Sequence, residues 1–191
     1  MVYYVGLVGK NGAGKTTMSN LLAGGLQSSG KLVEVVKFSQ ILTATLKLWS
    51  LPSSRENLQL VAQVMCNQFG NDALAFAIKT QILSSKADVV ILDSVRTESD
   101  ELFLRSLHAN VLVYVVTSPS ERYKRLRERN EKVNENNLTL EQFEIEDSAI
   151  NESSIEEIGS RAEEKVSNDG SSESLNIQVR GIVTRVTTAI N

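Results

Sequence analysis

Residues 9–16 read Gly9-Lys10-Asn11-Gly12-Ala13-Gly14-Lys15-Thr16 and satisfy the spacing G-x-x-x-x-G-K-[ST] at every position. The chemistry follows from the residue types. Glycines let a backbone curl until successive N–H groups face one point, and a helix starting at the end of the curl adds the positive end of its dipole. That arrangement suits a polyphosphate. Lys15 has the reach to meet β- and γ-phosphates, the Thr16 hydroxyl can join a magnesium shell, and Thr17 follows in the same first turn. Residues 9–17 are therefore expected to hold ATP with Mg2+. A second carboxylate-bearing stretch, Asp88-Val89-Val90-Ile91-Leu92-Asp93, runs four apolar residues into an acid. On a strand beside the loop's own strand, Asp93 would stand next to the magnesium. The competing reading is an aspartate that merely ends a strand in a turn.

Positioning these groups requires a sheet. Apolar runs over 2–8, 32–36, 89–92 and 111–116 are rich in valine and do not alternate, as strands covered on both faces should read. Residues 165–167 offer a weaker fifth strand at an edge. Helical spacing lies between them. Met18, Leu21, Leu22 and Leu26 share one face; Ser53 and Glu56 form a candidate capping box ahead of Leu58, Val61 and Met65; Leu74, Ile78 and Ile82 follow Asn71-Asp72. Ser118-Pro119 opens another helix with proline in its first turn, and Leu175, Val179, Ile182 and Val186 mark a last one. Strands alternating with helices predict a three-layer α/β/α sandwich around a five-stranded parallel sheet, in a single domain over residues 1–191.

Composition agrees. A chain of 191 residues, 41% of them hydrophobic, can bury one substantial core but not two. With 23% charged residues and a net charge of −3 it resembles neither a disordered chain nor a general nucleic-acid binder. No apolar stretch approaches a membrane span. Met1-Val2-Tyr3-Tyr4-Val5 runs straight into the glycine loop, so no signal peptide is expected. Cys66 is the one cysteine and lies in an apolar helical pattern, which predicts a core position and a cytoplasmic, reducing setting. Charge is unevenly distributed: residues 131–173 hold 13 acidic and three basic residues, while the preceding 130 hold 15 basic and 10 acidic. A solvated surface explains such a stretch; a moving lid, rooted on the basic helix before it, is the functional alternative.

Several features resemble nucleotide kinases related to adenylate kinase and dephospho-coenzyme A kinase, and the likeness spans nearly the whole chain. From Asp93 the chain continues Ser94-Val95-Arg96-Thr97, similar to the aspartate-to-arginine signature of nucleoside monophosphate kinases and one residue shorter than the adenylate kinase form. The resemblance gives Arg96 the acceptor's phosphate. Arg125 and Arg129, four apart on one helical face with Arg122 three before Arg125, stand where such kinases root a lid and neutralise the transferring phosphoryl group. Val166-Ser167-Asn168-Asp169-Gly170 looks like the strand and turn that line the adenine, which makes Asn168 a base contact by resemblance and a plain turn residue otherwise. Residues 38–70 become the acceptor-binding region and 130–159 the lid, both mobile. The implied partner is a small nucleotide-like acceptor, on a monomer or homodimer, with no nucleic acid and no membrane.

Two departures shape the expectation. Val36-Lys37-Phe38-Ser39 follows the second strand, where dephospho-coenzyme A kinases carry an aspartate that acts on the acceptor hydroxyl. A phosphate acceptor is already an anion and needs positioning and neutralisation rather than a base, so the missing aspartate favours a nucleoside monophosphate. Gln40-Ile41-Leu42 lacks the arginine adenylate kinases have nearby, which Arg55 or Lys47 could replace, and the lid lacks arginines between Leu138 and Ser160. Hydroxyl phosphorylation, a partition-type ATPase switch with Lys10 as second lysine, and an inactive nucleotide-binding module stay open as alternatives; no Asn-Lys-x-Asp segment supports a GTPase. The bland readings place Arg122, Lys124, Arg125, Arg127 and Arg129 on a solvated helix face pairing with Glu121 and Glu128, Arg96 at a helix cap or against Asp100, His108 in a turn or on the surface, and Trp49 and Tyr123 in packing.

Overall fold

The computed structural model describes residues 1–70, 73–129, 138–148 and 150–190, with the side chains of Arg55, Arg129 and residues 150–153 outside that description. The chain runs β1 (Tyr3–Val8), α1 (Lys15–Ser28), β2 (Val33–Val36), α2 (Phe38–Leu48), α3 (Arg55–Phe69), α4 (Ala73–Leu83), β3 (Val89–Asp93), α5 (Glu98–Ser106), β4 (Asn110–Val116), α6 (Pro119–Arg129), α7 (Leu140–Asp147), α8 (Ile150–Ser160), β5 (Glu164–Ser167) and α9 (Ser172–Ile190). The five strands are all parallel in the order β2-β3-β1-β4-β5, which puts the strand feeding the glycine loop at the centre.

The non-alternating strand sequences have their cause in two cores. Val5, Leu7, Val89, Ile91, Val111 and Val113 point to the face covered by α1 and α9. Tyr4, Val8, Val90, Leu92 and Leu112 point to the other, covered by α2, α4, α5 and α8. Both faces are covered, so period-2 patterning disappears. Only Val166 of β5 is buried, and this edge strand reads weakly for that reason.

Four local expectations change. The cap of α3 is Ser54, whose hydroxyl accepts from Asn57 N at 3.3 Å, one residue later than the Ser53–Glu56 box. None of the described α3 side chains is buried: Cys66 is half-buried and Met65 is 40% exposed. Trp49 is exposed, not packed. The expected lid over 130–159 meets a packed helix at its end. Residues 130–137 and 149 lie outside the described residues, but Ile155 and Ile158 of α8 are fully buried against the sheet. Withdrawing them would cost about 2 kcal/mol each. An ideal Cβ at Gly159 would come within 2.7 Å of the Tyr114 ring, so α8 also lies too close to β4 for anything larger.

Candidate phosphate-binding site

The glycine loop is clamped from three sides. An added Cβ at Gly9 would lie 2.6 Å from the Val115 carbonyl oxygen of β4, one at Gly12 would lie 2.9 Å from the Arg122 carbonyl oxygen of α6, and one at Gly14 would collide with the Asn168 carboxamide. Gly12 and Gly14 also have φ of 80° and 90°, left-handed values that disfavour any side chain. The Ala13 carbonyl between them accepts from Thr117 Oγ1 (3.0 Å) and Asn168 Nδ2 (2.9 Å). Lys15 Nζ donates to the Gly9 and Lys10 carbonyls at 2.6 and 3.0 Å, which places the ammonium against the rim of the loop.

The donor set fits a triphosphate. Helix α1 begins at Lys15 with Gly14 as its N-cap, no side-chain cap and no acidic residue in its first turn. Its leading N–H groups thus have no carboxylate of their own to meet, and an anion in the cradle would supply one. Thr16 and Thr17 are exposed on that first turn. Asp93 ends β3 next door, in register with Leu7 of β1, and is 7% exposed. Among the described residues no three His, Cys, Asp or Glu side chains cluster closely enough to hold a metal. Thr16 and Asp93 suit magnesium, which prefers one or two protein oxygens plus substrate phosphates to an all-protein cage.

Arg125 and Arg96 lie on opposite flanks. Arg125 Nη2 donates to the Asn168 carbonyl at 2.7 Å, and its Nη1 is 3.7 Å from the position of a Gly14 Cβ, beside the phosphate cradle. Arg96 is exposed beyond Asp93, its Nε on Ser94 Oγ at 3.2 Å. Asp100 caps α5 by accepting from Arg96 N (3.0 Å) and Thr97 N (2.9 Å), and burial raises its pKa. The backbone of Arg96 is therefore fixed, and the residue is exposed. Lys37, from the end of β2, places Nζ 3.7 Å from Asp93 Oδ2. Arg129 belongs to α6, and its side chain lies outside the described residues. Asn168 is 8% exposed with its carboxamide committed to Ala13, so it braces the loop whatever else it touches.

Arg122 ties this flank together as a buried brace, a role that neither the lid-root resemblance nor the solvated-face reading gives it. Arg122 is 2% exposed and not on a solvated face. Its Nε donates to the Thr117 carbonyl (3.1 Å), Nη1 to the Asn11 carbonyl (3.4 Å) and to Asp147, and Nη2 to Asp147 Oδ2 (2.9 Å). The Phe143 ring lies 5.3 Å from the guanidinium carbon and 5.4 Å from the Tyr123 ring. Lys10 joins the network through Glu156 (2.8 Å) and Asp147 (3.5 Å). Its burial works against the charge, yet the two acids outweigh that and raise its pKa. Hydrogen bonding to the Arg122 guanidinium keeps the Asp147 carboxyl below its ordinary pKa. A sequence signal existed: Arg122 falls in the first turn of α6, where a cation gains nothing from the helix dipole. The groove of about 320 Å³ lined by Lys31, Glu34 and Lys86 lies at the amino ends of β2 and β3, away from the phosphate loop.

No described helix is long and apolar enough to cross a membrane. A family model described as an AAA domain matches residues 5–150. Two curated relatives, each called a UPF0200 protein, come from Hyperthermus butylicus (25% identical over 123 residues, 64% of this chain) and Methanoregula boonei (27% over 126 residues, 65% of this chain). The matches span 63% and 66% of those relatives' own lengths. A shikimate kinase from Bacteroides thetaiotaomicron has a similar structure (TM-score 0.60, 13% identity, 98% of each chain). So has a gluconokinase from Sinorhizobium meliloti (TM-score 0.56, 12% identity, 99% of this chain and 95% of that one). At these identities the likeness is one of fold: a P-loop kinase architecture. With the model spanning the phosphate loop, Asp93, Arg96, α6 and α7, this chain belongs to that AAA-domain family of P-loop proteins.

Proposed function

We propose that the protein is a cytoplasmic phosphotransferase that moves the γ-phosphoryl group of ATP to a small nucleotide-like acceptor, a nucleoside monophosphate. The observation that carries the reading is the clamped loop itself, with Lys15 at its rim, an uncapped helix start behind it and Asp93 one strand away. In this reading residues 9–17 hold the triphosphate. Magnesium, where bound, would be held by Thr16 and Asp93 and would offset phosphate charge. Lys15, Arg125 and Arg129 neutralise the group in transit, and Arg96 orients the acceptor. The transfer needs no protein base, because a phosphate oxygen of the acceptor attacks as an anion; that suits a site with Lys37 where hydroxyl kinases of the resembling family carry an aspartate. Clamping on three sides supplies the fixed geometry that phosphoryl transfer depends on.

The test is acceptor-stimulated ADP release over nucleoside monophosphates, their deoxy forms and dephospho-coenzyme A, with the product identified by mass. A monophosphate should raise the rate well above the acceptor-free rate and appear as its diphosphate. Slow release indifferent to every acceptor would favour an ATPase switch, and stimulation by dephospho-coenzyme A alone would favour hydroxyl phosphorylation.

A further inference from the structure

The carboxyl ends of β2 and β3 meet in a pair of which the proposed chemistry uses only Asp93. Register sets Val36 opposite Leu92, so Lys37 stands level with Asp93. Its backbone is held: Phe38 beyond it is 6% exposed in the core, and Lys37 N donates to Gln40 Oε1 at 3.2 Å. The ammonium lies 3.7 Å from Asp93 Oδ2, within Coulomb attraction and beyond hydrogen-bond length. The Asp93 side chain is 6% exposed, that of Lys37 35%. One side of the ammonium thus faces a buried carboxylate and the other faces outward, on the flank where Arg96 is also exposed. Helix α2 starts at Phe38 and adds its positive end to the same spot.

The Lys37 ammonium is paired with Asp93, a carboxylate that a divalent ion would also draw on. When such an ion draws on it, the ammonium is left able to meet a second anion. An ammonium offers three donors and no acceptor, so it cannot take a hydroxyl proton but can hold a phosphate. We propose that Lys37 determines acceptor specificity: it binds the phosphate of a phosphomonoester acceptor and selects against the matching alcohol. The inference rests on the phosphotransferase reading above.

Calorimetry with magnesium and a saturating imido analogue of ATP tests it without turnover. The five common nucleoside 5′-monophosphates and their parent nucleosides are titrated as matched pairs. For the monophosphate that binds, the wild-type preference over its nucleoside should fall about tenfold or more in Lys37→Ala and stay within a few-fold in Lys37→Arg, with the affinity for the analogue unchanged. An unaltered preference in Lys37→Ala overturns the assignment. Equal loss of analogue binding also overturns it, since Lys37 then serves only to neutralise Asp93. Wild-type protein that takes up the analogue but no monophosphate defeats this inference together with the acceptor class; failure to take up the analogue at all defeats the phosphotransferase reading itself.

Discussion

On the β4–β5 flank of the phosphate loop, Gly9, Gly12 and Gly14 each abut a different element, Arg122 is 2% exposed within four polar contacts, and Asn168 is committed on both its amide and its carbonyl. On the β2–β3 flank, none of the described α3 side chains is buried, and Leu48, Trp49, Phe69 and Phe76 are 69–85% exposed. The first flank is over-determined: each group has more than one reason to be where it is. The second has few buried contacts, which places it at the low end of local stability. A phosphotransferase has use for both qualities, a rigid donor cradle and an acceptor region that can adjust around its ligand.

The sharpest break of this contrast is at its centre. Lys15→Ala should lower acceptor-dependent ADP release about 10²- to 10³-fold and weaken ATP binding, measured by steady-state kinetics and titration. Retention of full turnover would remove the catalytic assignment. Next is the buried network: Asp147→Ala leaves the Arg122 guanidinium uncompensated and should cost about 3 kcal/mol, a drop in Tm of roughly 10 °C by calorimetry. The same pair predicts a pH dependence. Because the folded-state pKa of Asp147 is lowered, its contribution is fully present above the unfolded carboxylate value and is lost as pH falls through the depressed folded value. Acid titrations of wild type and Asp147→Asn should therefore converge below about pH 4 and separate above it. Gly14→Ala is smaller, about 2 kcal/mol for a left-handed φ and the contact with Asn168, read as lost stability and weaker ATP binding. At the small end, Phe76→Ser on the acceptor flank should move stability by under about 0.5 kcal/mol, in urea titration; a loss like that of Asp147→Ala would mean that face is covered in the native protein.

What the sequence revealed followed the same division. The strands and the loop were legible because their signals are local: apolar runs on a doubly covered sheet, and a spacing that leaves glycine no substitute. Arg122 was not legible as a buried group, since the carboxylate that neutralises it lies 25 positions away on another helix. Its place in the first turn of α6 was the available clue. Helix α8 read as lid because its apolar content is three isoleucines, Ile150, Ile155 and Ile158, among serines and glutamates; nothing local says that β4 and α5 wait to cover the last two. The acidic stretch read as solvated surface, yet Asp147, Glu156 and Glu163 pair with Arg122, Lys10 and Arg105 from the basic part of the chain. Opposite charges in distant segments were a docking signal.

The braces of the loop also set an order of events during synthesis. Ala13 receives its bonds from Thr117 and Asn168, 104 and 155 positions later, and Asn11 from Arg122, 111 positions later. At a translation rate of 5–20 residues per second the cradle leaves the ribosome roughly 8 to 30 s before its last strut exists. The part of the molecule whose sequence is easiest to read is thus among the last to acquire its shape, and a nascent chain arrested before Asn168 would carry the whole nucleotide signature without the means to hold it rigid.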